Sequence, residues 1–537
     1  MSTEGQVTDA DNLLHKKVFQ IGLNEPEVTI LRNDETGENA SILFDFGVEI
    51  HGSIRLLTAF VDSSQQPVKM RITFGESVTE AMSAIGEKNA TNDHAVRDMV
   101  VYVPALSDQE WGQTGFRFVR LELLTPMATV RLKSVLAVFI YRDIPYLGSF
   151  SCNDELINRI YDTAAYTCHL NMQNMIWDGI KRDRLVWIGD MYLEMLTIRA
   201  VFGRQAVLED SLEFVKDQTP LPGWMNGLPS YSMWWILILW EWYWYTGDGQ
   251  FLDKQKDYLC SLLRQLCYSV REDGTDNLPD YFLDWPTRNS VSAKSGVRCI
   301  LRIALATGEK IMDYFHDESL KSLCRTKREY LDRQAEYHEN AKQTIAFMAL
   351  ASIMDKEEAS KHILSDGING FSTFFGYYML KVLSDAGYTA ESLDLLKEYY
   401  GLMLKEGATT FWEDFHREWA KNSGSIIDLP KNGMTDIHGD YGAYCYSGFR
   451  HSLCHGWSSG PVPFLAEQIL GIKIDAPGCR KITIQPNLGT LQWARGTYPT
   501  PLGMLTVSHK KEKDGAVSTT VDYPAGMDIT IMKNYGN

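Results

Sequence analysis

Apolar and polar residues alternate with a period of two from about residue 17 to residue 145. Segments such as ILFDFG (42–47), SIRLLTAFV (53–61), VKMRITFG (68–75), MVVYV (99–103), FRFVRLELL (116–124) and TVRLKSVLAVF (129–139) are separated by Gly, Asp, Ser and Pro turns. That pattern predicts an antiparallel β-sandwich. After GSFSCNDELINRIYDTA (148–164) the period becomes helical, with Asn153 or Asp154 placed to cap a helix that buries Leu156, Ile157 and Ile160. Helical segments follow at 191–203, 206–216, 232–246, 251–270, 293–315, 317–332, 339–352, 356–364, 371–385, 390–404 and 460–471. About a dozen helices of this length fit a double ring, the (α/α)6 toroid, better than a bundle. Beyond Pro477 the alternation returns in RKITIQPN (480–487), LQWARGTYPTPLGMLTVSHKKE (491–512) and VSTTVDYP (517–524). The expected organisation is therefore an N-terminal tail at 1–16, a β-sandwich at 17–145, an (α/α)6 domain at 146–474 and a small C-terminal β-domain at 475–537.

Composition narrows the partners. A net charge of -17 from 69 acidic and 52 basic residues repels polyphosphates and anionic lipid head groups, so neither nucleic acid nor a membrane surface is expected. The longest apolar run, YSMWWILILWEWYWY (231–245), is broken by Glu241 and is too short to span a bilayer, so it reads as a buried helix. Nine cysteines show no CxxC pair or zinc spacing and read as buried free thiols. No metal or other cofactor is expected. Unpaired cysteines and a first segment without an apolar leader point to the cytoplasm, or to the periplasm if a leader is removed in nature. The 14 Trp, 26 Tyr and 22 Phe suit a large core and the stacking of sugar rings about equally, and a homo-oligomer is left open.

The stretch WDGIKRDRLVWIGD (177–190) sets Asp178, Asp183 and Asp190 among residues that belong inside. Gly179, Gly189 and the apolar neighbours of Trp187 suggest an irregular loop leading into a helix near Asp190. Carboxylates on such a loop are partly desolvated and close together, which keeps at least one protonated at neutral pH, while Arg182 and Arg184 hold others ionised. Cleavage of a glycosidic bond requires one carboxylic acid and one carboxylate. The same residues would equally make a buried ion-pair network that only orients the loop. A second acid-aromatic stretch, TTFWEDFHREW (409–419), sets Glu413 and Asp414 after Trp412. Further candidates are Asp284 and Trp285 in DWPT (284–287), and His455 and Trp457 in HSLCHGWSSGP (451–461).

These motifs together resemble the α-L-rhamnosidases of glycoside hydrolase family 78. The family pattern of Asp, a short spacer, Arg, acid, Arg-Leu, Trp and Gly-Asp is met from Asp178 to Asp190. Similarity extends to Thr409–Glu413, to the Ser-x-x-His-Gly segment at 452–456, to FRFVRL (116–121) and to Pro477-Gly478 with RKITIQPNLG (480–489). The resemblance implies an inverting hydrolase of terminal α-linked L-rhamnose. It assigns Asp183 as general acid and Glu413 as general base, with Asp178 and Asp190 gripping sugar hydroxyls. It also places Trp187 against the sugar methyl group and His455 as a hydrogen-bond donor. Arg182, Asp284, Trp285, Trp412 and Trp457 complete the expected binding set. The chain departs from the family in carrying Asp183 where glutamate is usual, Val186 for a common glycine, and Gly179-Ile180 for a Cys-Pro pair. The rival readings are an (α/α)6 glycosidase of other specificity, a polysaccharide lyase with Tyr231, Tyr441 or Tyr444 as base, and a sugar-binding relative without catalysis.

Overall fold

The computed structural model describes residues 1–35, 37–288, 290–333, 338 and 340–532. Three regions follow one another along it: an N-terminal sheet domain, a helical domain and a small C-terminal sheet domain.

The N-terminal domain is built around the strand Ser41–Asp62, which pairs antiparallel with Ser107–Leu123 on one side and Ala128–Phe139 on the other. Its eight strands hydrogen-bond as one sheet. Register shifts at Asp45/Ile50 and Gly52/Ile54 interrupt the long strand, and such bulges bend a sheet. The bent sheet encloses a core of its own, including Ile42, Ile54, Met70, Phe116 and Val130. Residues 1–16 are not a tail: Ser2–Glu4 pairs with Ser41–Leu43, and Gln6–Thr8 with Ile30–Arg32. Apart from the half-buried Val7, these strands expose their side chains and are held by backbone pairing, which leaves no apolar period to read.

The helical domain begins with Glu155–Asn171, capped by Asp154, whose carboxylate accepts from the Leu156 and Ile157 amides. Helices then run at Ile188–Val201, Ala206–Gln218, Pro229–Thr246, Lys256–Ser269, Val291–Tyr314, Glu318–Leu331, Lys342–Leu350, Lys356–Leu364, Gly376–Asp385 and Thr389–Lys405. They form the six-hairpin ring expected from the periodicity. Residue 339, where one helix was expected to start, lies outside the described residues. Pro229–Thr246 is the apolar run noted above, with Pro in its first turn and Gly247 ending it at φ +69°. Trp234, Trp235 and Trp242 in it are fully buried, and no helix among the described residues is long and apolar enough to cross a membrane. The last expected helix, 460–471, is shorter and changes character: an α-turn at Pro461–Phe464 passes into a π-turn at Leu465–Ile469.

The C-terminal domain has a three-stranded and a four-stranded sheet. The edge of the four-stranded sheet is Ser149–Cys152, from just before the helical domain, paired with Ala494–Thr497. Both ends of the ring are thereby tied to one sheet.

Candidate active site

The loop from Asp178 to Asp190 is closed on itself before it touches anything else. The Asp178 amide donates to the Leu185 carbonyl at 3.1 Å, and the Leu185 amide donates back to the Asp178 carboxylate at 3.0 Å. The tip of this turn is Asp183 and Arg184, both at positive φ, +58° and +53°. Such backbone is costly for residues other than glycine and persists where its surroundings impose it. One surrounding is the strand-like contact of Gly179 with His455, where a side chain on residue 179 would crowd the imidazole Nδ1 at 3.2 Å.

The other is Lys181. Its ammonium is buried between Glu76 Oε2 at 2.9 Å, Glu80 Oε1 at 3.1 Å and the carbonyls of Phe449 at 2.9 Å and His451 at 2.5 Å. Glu76 and Glu80 belong to the N-terminal domain, where the short helix Val78–Met82 follows the strand Val68–Gly75. Among the described residues, Glu76, Glu80 and His438 form the group whose side chains could hold a metal ion, with ligand atoms within 4.8 Å of one another. Lys181 already bonds both of these carboxylates.

Arg182 joins the two stretches singled out in the sequence. Its Nη2 donates to both carboxylate oxygens of Glu413, at 2.5 and 2.7 Å, and its Nη1 to Asp183 at 3.2 Å. Burial pushes the Glu413 carboxyl up, but the Arg182 charge and hydrogen bonds, together with the charges of His455 and His451, outweigh it and hold the group down at about 2. Glu413 is further fixed by the Ser452 amide at 3.2 Å, and its carbonyl accepts from Thr373 and from Trp457 Nε1. Asp183 is less enclosed, with 18% of its side chain exposed, and has His94 of the N-terminal domain 3.4 Å away.

Asp190 lies in the first turn of Ile188–Val201 and accepts from Tyr231 at 3.1 Å, with His455 Nε2 at 3.0 Å from its other oxygen. Burial raises the Asp190 carboxyl; it also pulls His455 down, but the Asp190 hydrogen bond and the charges of Glu413, Asp190 and Asp178 together outweigh it and raise the imidazole. Asp178, fully enclosed, is pushed well above the usual carboxylate range by burial, against the opposing influence of His455. The site thus brings together one carboxylate driven down, Glu413, and two driven up, Asp178 and Asp190 on the loop, and separation of this kind suits acid–base chemistry.

The aromatic candidates divide. Trp187 is half-buried, edge-on to Tyr231, and Trp285 is half-buried, stacked on the exposed Tyr444. Trp412 and Trp457 stand behind the site: Trp412 is 1% exposed, and Trp457 stacks on Phe374 while bonding the Glu413 backbone. Asp284 caps the turn Trp285–Thr287 and accepts from Ser372 at 2.5 Å and Gln343 at 3.3 Å. It joins the site through Asp414, whose carboxyl burial pushes to about 7 with Asp284 adding repulsion, and which accepts from Tyr446. Of the tyrosines considered as bases, Tyr231 is tied to Asp190, Tyr441 is stacked on Trp419, and Tyr444 is stacked on Trp285. The sequence reading missed Lys181, Glu76, Glu80 and His94, because their roles arise only where the first domain meets the loop.

Comparison with known proteins agrees with this geometry. Residues 145–467 match the family described as bacterial alpha-L-rhamnosidase 6 hairpin glycosidase domain, and residues 471–533 match the bacterial alpha-L-rhamnosidase C-terminal domain. An alpha-L-rhamnosidase of Alteromonas sp. (strain LOR) is 24% identical over 591 residues, covering 98% of this chain and 60% of its own length. The chain therefore spans under two thirds of that relative. Among solved structures, the GH78 rhamnosidase of Bacillus sp. GL1 superposes with a TM-score of 0.75 at 22% identity, over 95% of this chain and 55% of its own. A rhamnosidase from Klebsiella oxytoca with rhamnose bound gives 0.65 at 18%, over 81% of this chain and 88% of its own.

Proposed function

The chain belongs to the bacterial α-L-rhamnosidase six-hairpin glycosidase family, and from that premise we propose that it releases terminal α-linked L-rhamnose from a carbohydrate with inversion at the anomeric carbon. The observation that carries this reading is the single guanidinium of Arg182 reaching both Asp183 and Glu413. Two hydrogen bonds and the width of one guanidinium keep those carboxylates within the upper limit of roughly 9.5 Å for inverting pairs, where a water fits beside the base.

Asp183, the more open of the two, donates its proton to the departing glycosidic oxygen. Glu413, held ionised, takes a proton from the attacking water. Its basicity is suppressed while Arg182 grips both oxygens, so accepting that proton requires one of the two bonds to loosen. Substrate hydroxyls that compete for Arg182 do this, which couples base strength to occupancy of the site. Asp178 and Asp190, driven toward the protonated form, are suited to donate as well as accept toward sugar hydroxyls, and Trp187 offers an apolar wall.

Proton NMR of the sugar first released from an aryl α-L-rhamnoside tests the reading. Appearance of the inverted anomer is expected. First appearance of the retained anomer, or no release of rhamnose from any α-L-rhamnoside, would overturn it.

A further inference from the structure

A large cavity lies away from the carboxylates. It has a volume of about 1100 Å³ and lies between the helical ring and the C-terminal sheets, with Arg199, Trp240, Trp244, Tyr314, Glu467 and Ile474 among its walls. Two helices connect it to the active site. Ile188–Val201 carries Asp190 at one end and Arg199 at the other, and Pro229–Thr246 carries Tyr231 at one end and Trp240 at the other. Nine residues of helix separate each pair, or about 13 Å of rise, so the cavity opens at the opposite face of the ring from the catalytic loop.

We propose that this cavity is a second, non-catalytic binding site for a neutral oligosaccharide. Its aromatic wall is unlike the packed aromatics of the core. Trp240, Tyr243 and Trp244 are each half-buried, with Trp240 and Trp244 at 5.0 Å between ring centres and Tyr243 at 5.0 Å from Tyr314. Half-exposed rings on adjacent turns of one helix give the flat apolar faces on which the C–H side of a pyranose stacks. The floor is polar and fixed. Arg199, 7% exposed, is clasped by Glu241 at 3.0 Å and Glu467 at 2.9 Å, and Tyr377 donates to Glu467 at 2.7 Å. Such groups, already oriented, can give and accept hydrogen bonds with ring hydroxyls without paying to be ordered.

Charge selects the class of ligand. The cavity carries five basic and five acidic side chains, which cancel and favour neither a polyanion nor a cation. Its volume exceeds the roughly 300–1,000 Å³ of ordinary small-molecule pockets, which suits several linked rings rather than one. This inference does not depend on the catalytic assignment, because no residue of the Asp178–Asp190 loop lines the cavity.

The test uses the full chain carrying Asp183→Asn, so that turnover cannot confuse the titration. Neutral hexasaccharides with glucan, xylan, galactan and arabinan backbones are titrated calorimetrically against it. At least one is expected to bind, at least ten-fold more weakly after Trp240→Ala or Tyr243→Ala, with affinity recovered in Trp240→Phe. In the otherwise native enzyme, Trp240→Ala should leave the rate on a small aryl rhamnoside unchanged, which also reports that the fold is intact. Failure of every hexasaccharide to bind, or equal binding by the Trp240→Ala protein, would overturn the proposal. Loss of rhamnosidase activity as such would not, since the titration reads a different face of the ring.

Discussion

Arg182 and Glu413, separated by 231 positions in the chain, meet through two hydrogen bonds of 2.5 and 2.7 Å in a site closed to solvent. A bidentate pair of this kind sets both the position and the charge of the carboxylate. Removing one partner leaves an uncompensated buried charge, which typically costs about 3–5 kcal/mol.

Arg182→Met is therefore expected to lower the denaturant midpoint substantially at pH 7. The folded Glu413 carboxyl sits at about 2, below its ordinary 4.5, so the pair adds stability that is complete above pH 4.5 and is lost as pH falls toward 2. Stability curves of the native protein and the variant should converge over that range. Curves that stay parallel below pH 4.5 would show that the pair is not the source.

The two assigned roles separate kinetically. Asp183→Asn should slow glycosides with poor leaving groups by roughly 10²- to 10⁴-fold and activated aryl rhamnosides far less, because only the former need a proton at the departing oxygen. Glu413→Gln should slow both kinds. Equal losses on both kinds for Asp183→Asn would remove it as the acid.

Asp414 titrates in the opposite sense to Glu413. Burial and the neighbouring Asp284 raise its carboxyl to about 7 from an ordinary 3.8, so the folded chain holds a proton that the unfolded chain gives up. The resulting stabilisation is full below about pH 4 and fades as pH rises through 7, by an amount on the order of a few kcal/mol at about 1.4 kcal/mol per pKa unit. Asp414→Asn should flatten this decline. Urea denaturation between pH 5 and 8 checks it, and an unchanged slope would contradict it.

Gly189 lies under the ring of Tyr231, where an added Cβ would come within 2.3 Å of the ring carbons. Gly189→Ala must displace Tyr231 and with it the hydroxyl that donates to Asp190. Overpacking of this kind costs about 1–3 kcal/mol, and KM for a rhamnoside should rise with it. An unaltered KM would mean that Tyr231 and Asp190 do not hold the sugar.

Elements were legible where a side-chain period repeats. The amphipathic helices and their Asp154 cap could be read directly, because burial of one face writes itself into spacing. The strands at Ser2–Glu4 and Gln6–Thr8 could not, since apart from Val7 they expose their side chains and rely on backbone pairing. In the site, the acids of the loop stood out because Asp178, Asp183 and Asp190 sit among apolar neighbours. The contact of Arg182 with Glu413 did not, because nothing local links residues so far apart. Trp412 and Trp457 were expected to bind sugar from the acid-aromatic motifs that carry them, yet both are buried, and Trp457 bonds the Glu413 carbonyl. Glu76 and Glu80 were hidden in a period-two region whose short helix Val78–Met82 spans too few residues to register.

Lys181 ties the first domain to the loop that carries Asp183. An ammonium held by Glu76 and Glu80 from one side and by two carbonyls of the helical domain from the other makes a three-way rivet through the base of the catalytic loop. Severing residues 1–140 would strip two counter-charges from that rivet and His94 from beside Asp183 in the same cut. The helical ring on its own, even if it folded, would carry its loop loosely and its acid in an altered field. The loop and its candidate acids are accordingly built by the sheet domain and the ring together.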